Sequence, residues 1–322
     1  MQEIPLQEIV PFRIGQTENA AAATGCTVIL CPDGMRAGLD VRGGGPASRD
    51  SQMLNPLMAM ETIHAVVLSG GSAFGLDAAG GVMRFLEERG VGFDVGVTKV
   101  PLVVQSCLFD LTVGAADVRP DAAMGYEAAR LAWEAPNFRD GNFGAGCGAT
   151  VGKWEGMEFC MKSGIGSYAM QLGDLKIGAV AAVNALGDVF DWHTGRQIAG
   201  LLSKDKRSLR RTAEEMMKKT ETRENKFLTN TTLAAVITNA SFTKTQLCKI
   251  AVMSQNGLAR CIDPVHTSAD GDSIYALSAG SVNADQDLAG TLAAHAVSEA
   301  VLRAVRSAES AYGFPAAKDL PL

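Results

Sequence analysis

Apolar positions along this chain fall into blocks that switch between strand-like runs and helical spacing. Residues 62–69 (Thr-Ile-His-Ala-Val-Val-Leu-Ser) form a nearly unbroken apolar run of strand length and predict a buried strand. The run ends in Gly70-Gly71-Ser72. Residues 73–89 then place Phe74, Ala78, Val82, Phe85 and Leu86 on one helical face, with Ser72 as the expected N-cap. A second helix is predicted over 120–133, opening on Pro120 and Asp121. Residues 176–184 (Lys-Ile-Gly-Ala-Val-Ala-Ala-Val-Asn) predict another buried strand that ends at Asn184. Residues 203–227 break the pattern, with 14 charged side chains in 25, nine basic and five acidic. This stretch reads as a charged linker over 203–229 between two halves. The pattern resumes with a strand over 231–238. A helix over 243–256 follows, presenting Leu247, Ile250, Ala251, Val252 and Met253. After Asp270-Gly271-Asp272 come a strand over 273–278 and a long Ala-rich helix over 283–306. No internal repeat is evident. Alternating strands and helices predict an α/β protein. A hydrophobic fraction of 47% in 322 residues supplies a large core.

Composition narrows the function. Many of the 35 glycines cluster, as in Gly43-Gly44-Gly45 and Gly144-Ala145-Gly146-Cys147-Gly148, which predicts tight turns and close backbone approaches. A net charge of −6 argues against a nucleic-acid partner, which needs a basic surface. The mixed signs of the charged stretch exclude a basic tail as well. Seven cysteines without paired spacing argue against a disulfide framework. Cys26, Cys107, Cys147, Cys160 and Cys248 sit among small or apolar neighbours and read as buried thiols. The start, Met1-Gln2-Glu3-Ile4-Pro5, does not read as a signal peptide, and no stretch reads as a membrane span, so a cytoplasmic protein with no membrane partner is expected.

Several segments carry candidate chemistry. Asn230-Thr231 follows the charged stretch and opens a strand, where a self-cleaving hydrolase places its nucleophile. A break before Thr231 would put a free α-amine beside the residue's own hydroxyl, so base and nucleophile would share one residue. Residues 144–154 (Gly-Ala-Gly-Cys-Gly-Ala-Thr-Val-Gly-Lys-Trp) do not make a phosphate-binding loop. The first required glycine falls at Cys147, and Trp154 stands where a Ser or Thr belongs. The segment reads instead as a glycine-rich turn that aims Lys153 into a pocket. Cys147 as a nucleophile would need a base, and none of His64, His193, His266 and His295 is near it in sequence. Asp270-Gly271-Asp272 lacks the further acidic residues of a Ca²⁺ loop and reads either as a turn or as a carboxylate pair that orients a nucleophile. Asn184 at a buried strand end reads either as a structural hydrogen-bonder or as a donor to a developing oxyanion. No metal or organic cofactor is implied.

Together, residues 68–77, Val118-Arg119-Pro120-Asp121, Gly144 to Lys153, Asn230-Thr231-Thr232, and Pro264-Val265-His266-Thr267 with Asp270-Gly271-Asp272 resemble the DmpA-like family of self-processing aminopeptidases and amidases. That family includes β-aminopeptidases and nylon-oligomer hydrolases. The resemblance implies a four-layer α/β/β/α sandwich, similar to the N-terminal nucleophile hydrolases but differently connected. It implies one domain over 1–322, cut once into fragments 1–230 and 231–322. It also implies Thr231 as nucleophile, with Lys153, Asn184, Asp270 and Asp272 around it. The implied substrates are small peptides or short amides, and the implied assembly is a homo-tetramer. Phe109 stands where members of the family often carry a Tyr near the oxyanion, and Phe has no hydroxyl to donate. Two rival readings share the fold: an acyltransferase of the ornithine acetyltransferase type, and a binding protein that never cuts itself.

Overall fold

In chain order the main strands are β1 (Gln2–Glu3), β2 (Arg13–Asn19), β3 (Thr24–Val41), β4 (Ala47–Arg49), β5 (Ile63–Ser69), β6 (Val103–Cys107), β7 (Ile165–Leu172), β8 (Leu175–Asn184), β9 (Thr231–Ala240) and β10 (Ser273–Val282). The helices are α1 (Ala78–Glu87), α2 (Ala122–Glu134), α3 (Thr212–Met217), α4 (Lys244–Cys261) and α5 (Gln286–Arg306). The structure is a computed structural model and describes residues 1–219 and 230–320.

The strands pair in the order β1-β7-β8-β9-β10-β3-β5-β6-β4, with β2 on β3. β3 belongs to two sheets. Its first part, Cys26 to Leu30, pairs with β5 and β2. Its last part, Arg36 to Val41, pairs with β10. Between them the register shifts, at Cys31-Pro32-Asp33-Gly34, where Gly34 takes φ +91°. A proline and a positive-φ glycine bend the strand out of one sheet and into the other.

Alternation along each strand then builds three apolar interfaces. Cys26, Val28, Leu30, Ala65 and Val67 face α1 and α2. Ile29, Val66, Leu68 and Val104 face Val180, Ala182, Leu233, Ala235, Tyr275 and Leu277 between the sheets. Ala179, Ala181, Val183, Ala234, Val236, Ile274 and Ala276 face α4 and α5. The result is a four-layer α/β/β/α sandwich.

Local signals account for most element ends. Asp121 caps α2 by accepting from the Met124 N–H, and Thr243 with Gln246 forms a capping box on α4. Three expectations need correction. The helix predicted from residue 73 begins at Ala78, after a 3₁₀ turn over Ser72–Asp77. Ser72 sits at φ +52° and does not cap it; Phe74 lies outside the core, with the Arg119 guanidinium 3.9 Å from its ring centre. Finally, α5 is in fact long and apolar enough to cross a membrane, but 72% of its apolar window is buried in the protein. Of the predicted linker, residues 203–219 fold onto the body and residues 220–229 lie outside the described residues. Asp188 accepts from Thr212 N (2.6 Å), Thr212 Oγ1 (2.7 Å) and Leu201 N (2.8 Å), and Glu155 accepts from Arg210 (3.1 Å) and Lys219 (2.9 Å).

Helices α1 and α2 cross at a pair of glycines. A Cβ on Gly81 would lie 1.7 Å from the Ala122 carbonyl oxygen, and one on Gly125 would lie 1.9 Å from that of Ala78. Gly81→Ala must therefore push the helices apart. We expect a loss of about 1–3 kcal/mol, read as a fall of several degrees in the thermal midpoint. An unchanged midpoint would show that the crossing relaxes freely.

Candidate active site

Three strand ends meet at one edge of the sheet that carries α4 and α5. β8 runs antiparallel to β9, so its last residue, Asn184, is the cross-strand partner of Thr231, the first residue of β9. β9 runs parallel to β10, and the loop entering β10 carries Asp270 and Asp272 beside that end. Lys153 enters from the turn after the short strand Thr150–Val151, whose shape depends on Gly152 at φ +78°. A Cβ on Gly152 would meet the Gly200 backbone at 2.1 Å. The sequence-predicted residues Lys153, Asn184, Asn230, Thr231, Asp270 and Asp272 are thus brought together, and all are buried.

Thr231 has φ +150°, a backbone conformation that a β-branched L residue rarely adopts. The residue bearing the candidate nucleophile is therefore strained. Its hydroxyl lies against Gly271, where a Cβ would sit 2.7 Å from Oγ1. Only glycine lets the Asp270-Gly271-Asp272 turn close over that hydroxyl.

The two carboxylates are held from behind. Asp270 accepts from Thr267 N at 2.8 Å and Thr267 Oγ1 at 2.5 Å. Asp272 accepts from Thr232 N at 2.7 Å and from His266 N at 3.1 Å, and its Oδ2 lies 2.9 Å from His266 Nδ1. Gly45 N donates to the Asp270 carbonyl at 2.8 Å, so the 43–45 glycine cluster packs on this turn. Burial, and then the neighbouring Asp272 charge, push the Asp270 carboxyl up to about 6; hydrogen bonds from Thr267 and the Lys153 charge oppose the rise.

On the other side Lys153 Nζ donates to Asn184 Oδ1 at 2.6 Å and to the Asn184 carbonyl at 2.9 Å. Asn184 Oδ1 also accepts from Thr150 N at 3.0 Å, and Asn184 Nδ2 donates to the Phe109 carbonyl at 2.8 Å. Burial pushes the Lys153 ammonium down to about 7, countered by the charges of Cys160, Asp270, Asp110 and Asp272. Phe109, read from sequence as a lost hydroxyl, contributes through its main chain instead.

His266 and Thr267, to which the sequence assigned no role in the site, fix both carboxylates. Their place just before Asp270 was the available signal. The sequence also gave no role to Thr150, to Asp110 or to Lys162, which lie beside the site. Cys147 is not poised as a nucleophile: its thiol is buried 3.5 Å from the Tyr312 hydroxyl, and burial pushes it up. His64, His193, His266 and His295 have their described polar or ring contacts elsewhere, with Leu102, Glu299, Asp272 and Trp192 respectively.

The site is thus a strained, buried threonine beside an acidic pair and a lysine, at a strand end of an α/β/β/α sandwich. Residues 9–318 match Peptidase family S58, and the chain belongs to that family. It is 37% identical to an uncharacterized aminopeptidase of Mycobacterium leprae, over 92% of this chain and 86% of that one. It is 30% identical to a 6-aminohexanoate-oligomer endohydrolase of Agromyces, over 84% of this chain and 73% of that one. Among solved structures, the L-aminopeptidase D-Ala-esterase/amidase of Ochrobactrum anthropi, described as a variant of the Ntn hydrolase fold, superposes with a TM-score of 0.67 at 16% identity, covering 94% of this chain and 86% of that one. A Burkholderia β-aminopeptidase superposes with a TM-score of 0.63 at 18% identity, with the same coverage. This protein is accordingly a hydrolase of the aminopeptidase and amidase class.

His266→Ala removes the ring contact to Asp272 and leaves the backbone N–H donor. A hydrogen bond to a charged group contributes about 1.5–3 kcal/mol, so we expect hydrolysis to slow about ten- to a hundredfold with KM little changed. Steady-state kinetics on a short amide substrate checks this. Full activity would mean that Asp272 is positioned by the main chain alone.

Proposed function

We propose that the chain is a self-processing N-terminal-threonine hydrolase that cuts small peptides or short amides. The observation that carries this reading is the strained Thr231 hydroxyl enclosed by Gly271 between the Asp270/Asp272 turn and the Lys153–Asn184 pair. In the precursor the Thr231 oxygen attacks the Asn230 carbonyl carbon. The new C–O bond replaces the Asn230–Thr231 C–N bond, and the departing nitrogen takes up the hydroxyl proton. Water then cleaves the ester, freeing the Thr231 hydroxyl and leaving an α-amine. Relief of the backbone strain at Thr231 favours the first step.

In turnover the Thr231 α-amine, with a reference pKa of about 7.7–8.0, accepts the hydroxyl proton as Oγ1 bonds to the substrate carbonyl. The same proton passes to the leaving amine, and water releases the acyl group. Asp270 and Asp272 orient the α-amine. Asn184 directs its amide oxygen at Lys153 and its Nδ2 at Phe109, so we give it the role of holding Lys153. The Lys153 ammonium then faces the charge that develops on the substrate oxygen. The names of the relatives support the substrate class. One is named as an uncharacterized aminopeptidase and another as a 6-aminohexanoate-oligomer endohydrolase. Nothing favours the acyltransferase reading.

Intact mass under denaturing conditions tests the cut. Scaling 33.7 kDa by length gives pieces of roughly 24 and 10 kDa, the smaller beginning at Thr231. Thr231→Ala should give one full-length mass and no hydrolysis; a cut, active variant sinks the proposal.

A second test is pH. Asp270 must be ionised to hold an ammonium, so kcat/KM should fall as pH drops through about 6. Stability runs the other way. The folded carboxyl is raised above its unfolded value, so its contribution is full below about 3.9 and is lost as pH rises through about 6. A rate profile that stays flat down to about pH 5 would remove Asp270 from this role.

A further inference from the structure

Lys162 is a wholly buried lysine that the mechanism above does not use. It lies on the short strand Met161–Lys162, paired opposite Thr150. Its Nζ donates to three main-chain carbonyls: Gly146 at 3.2 Å, Ala149 at 3.0 Å, and Ser163. Among the described residues it has no carboxylate within ion-pair distance. Three carbonyls match the three N–H bonds of an ammonium. A neutral amine has two, and would turn its lone pair on the third oxygen. Burial pushes Lys162 down to about 7, but the acceptor set favours the charged form.

One of those carbonyls leads into the site. The Ala149 carbonyl and the Thr150 N–H belong to the same peptide unit. Lys162 donates to its oxygen, and its N–H donates to Asn184 Oδ1, the atom that also accepts from Lys153. A cation on the carbonyl polarises the peptide and strengthens its N–H as a donor. Asn184 Oδ1 is then a poorer acceptor for a second cation. Direct repulsion between the two ammonium groups acts in the same direction.

We propose that Lys162 is a positioning residue for hydrolysis, which holds the 149–150 peptide against Asn184 and lowers the affinity of Lys153 for its proton. This deepens the proposed function and rests on it for the role of Lys153. The charges around the pair are Asp110 and Cys147 on the Lys162 side, and Asp270, Asp272, Asp110 and Cys160 on the Lys153 side. All of these are acids, and Lys162, across the peptide, is a cationic group whose charge and that of Lys153 oppose each other.

Side-chain NMR of isotope-labelled lysine in the full chain reads the Lys153 titration directly, with Lys153→Arg assigning its signal. Lys162→Gln keeps two donors and loses the charge; Lys162→Met loses both; Lys162→Arg keeps the charge. We expect the Gln and Met variants to raise the Lys153 midpoint by about half a pH unit or more. The Arg variant should leave it close to wild type. The Gln variant guards against misfolding of the Met variant. A Lys153 midpoint unmoved by Lys162→Gln, in a protein that melts as wild type does, overturns the proposal even if activity falls. The readout does not depend on cleavage, so failure at Thr231 would appear separately in the intact mass.

Discussion

The Lys153–Asn184 contact is the interaction on which the rest of the site depends. An ammonium taken out of water costs several kcal/mol unless it is met by acceptors. Asn184 meets it twice, through its side-chain oxygen and its main-chain carbonyl. Asn184 can do so because it is the last residue of β8 and the cross-strand partner of Thr231. One backbone register thus sets Lys153, Asn184 and Thr231 in a single row. A slip of one residue would turn the Asn184 side chain to the opposite face of the sheet, away from Lys153.

That row is held by close backbone contacts rather than by large side chains. Gly271 clears the Thr231 hydroxyl, Gly152 passes the Gly200 backbone, and Gly43 meets the Asp270 carbonyl, where a Cβ would sit 2.3 Å away. The bend in β3 makes these meetings possible. It carries one strand from the sheet under α1 and α2 to the sheet under α4 and α5, and the glycine cluster after it lands on the acidic turn. The abundance of glycine in this chain therefore reflects crossings of backbone on backbone, and several of these crossings fall at the site.

Much of this was legible in the sequence, and what was not has physical reasons. Uniform apolar runs gave β5, β8 and β9 within a residue or two, and Asp121 and Thr243 marked two helix starts. The 18-residue β3 escaped notice because Pro32 and Gly34 punctuate it, as if it were two pieces joined by a turn. The start of α1 was misplaced because Ser72 resembles a cap while its positive φ belongs to a tight turn. Thr231, Lys153, Asn184, Asp270 and Asp272 were singled out as candidates, and the fold brings them together at one set of strand ends. Lys162 was not found. A lysine whose only described partners are backbone carbonyls leaves no pattern in side-chain types, and three dimensions are needed to see it.

The site's electrostatics carry a cost that fixes how the fold must be built. Asp110 and Asp188 are pushed up to about 6 by burial, as Asp270 is, while Lys153 and Lys162 are pushed down to about 7. Each shift is a penalty on the charged form near neutral pH. Asp188 and Asp110 spend that penalty on structure, holding Thr212 with Leu201, and Gly71 with Thr24. Asp270 and Lys153 carry it at the candidate site, where a charge held out of water acts strongly on the groups beside it. The three apolar interfaces must supply the balance. A sandwich with only one core layer would bury far less apolar surface against the same penalties. Four layers are therefore consistent with what a site this dry and this charged requires.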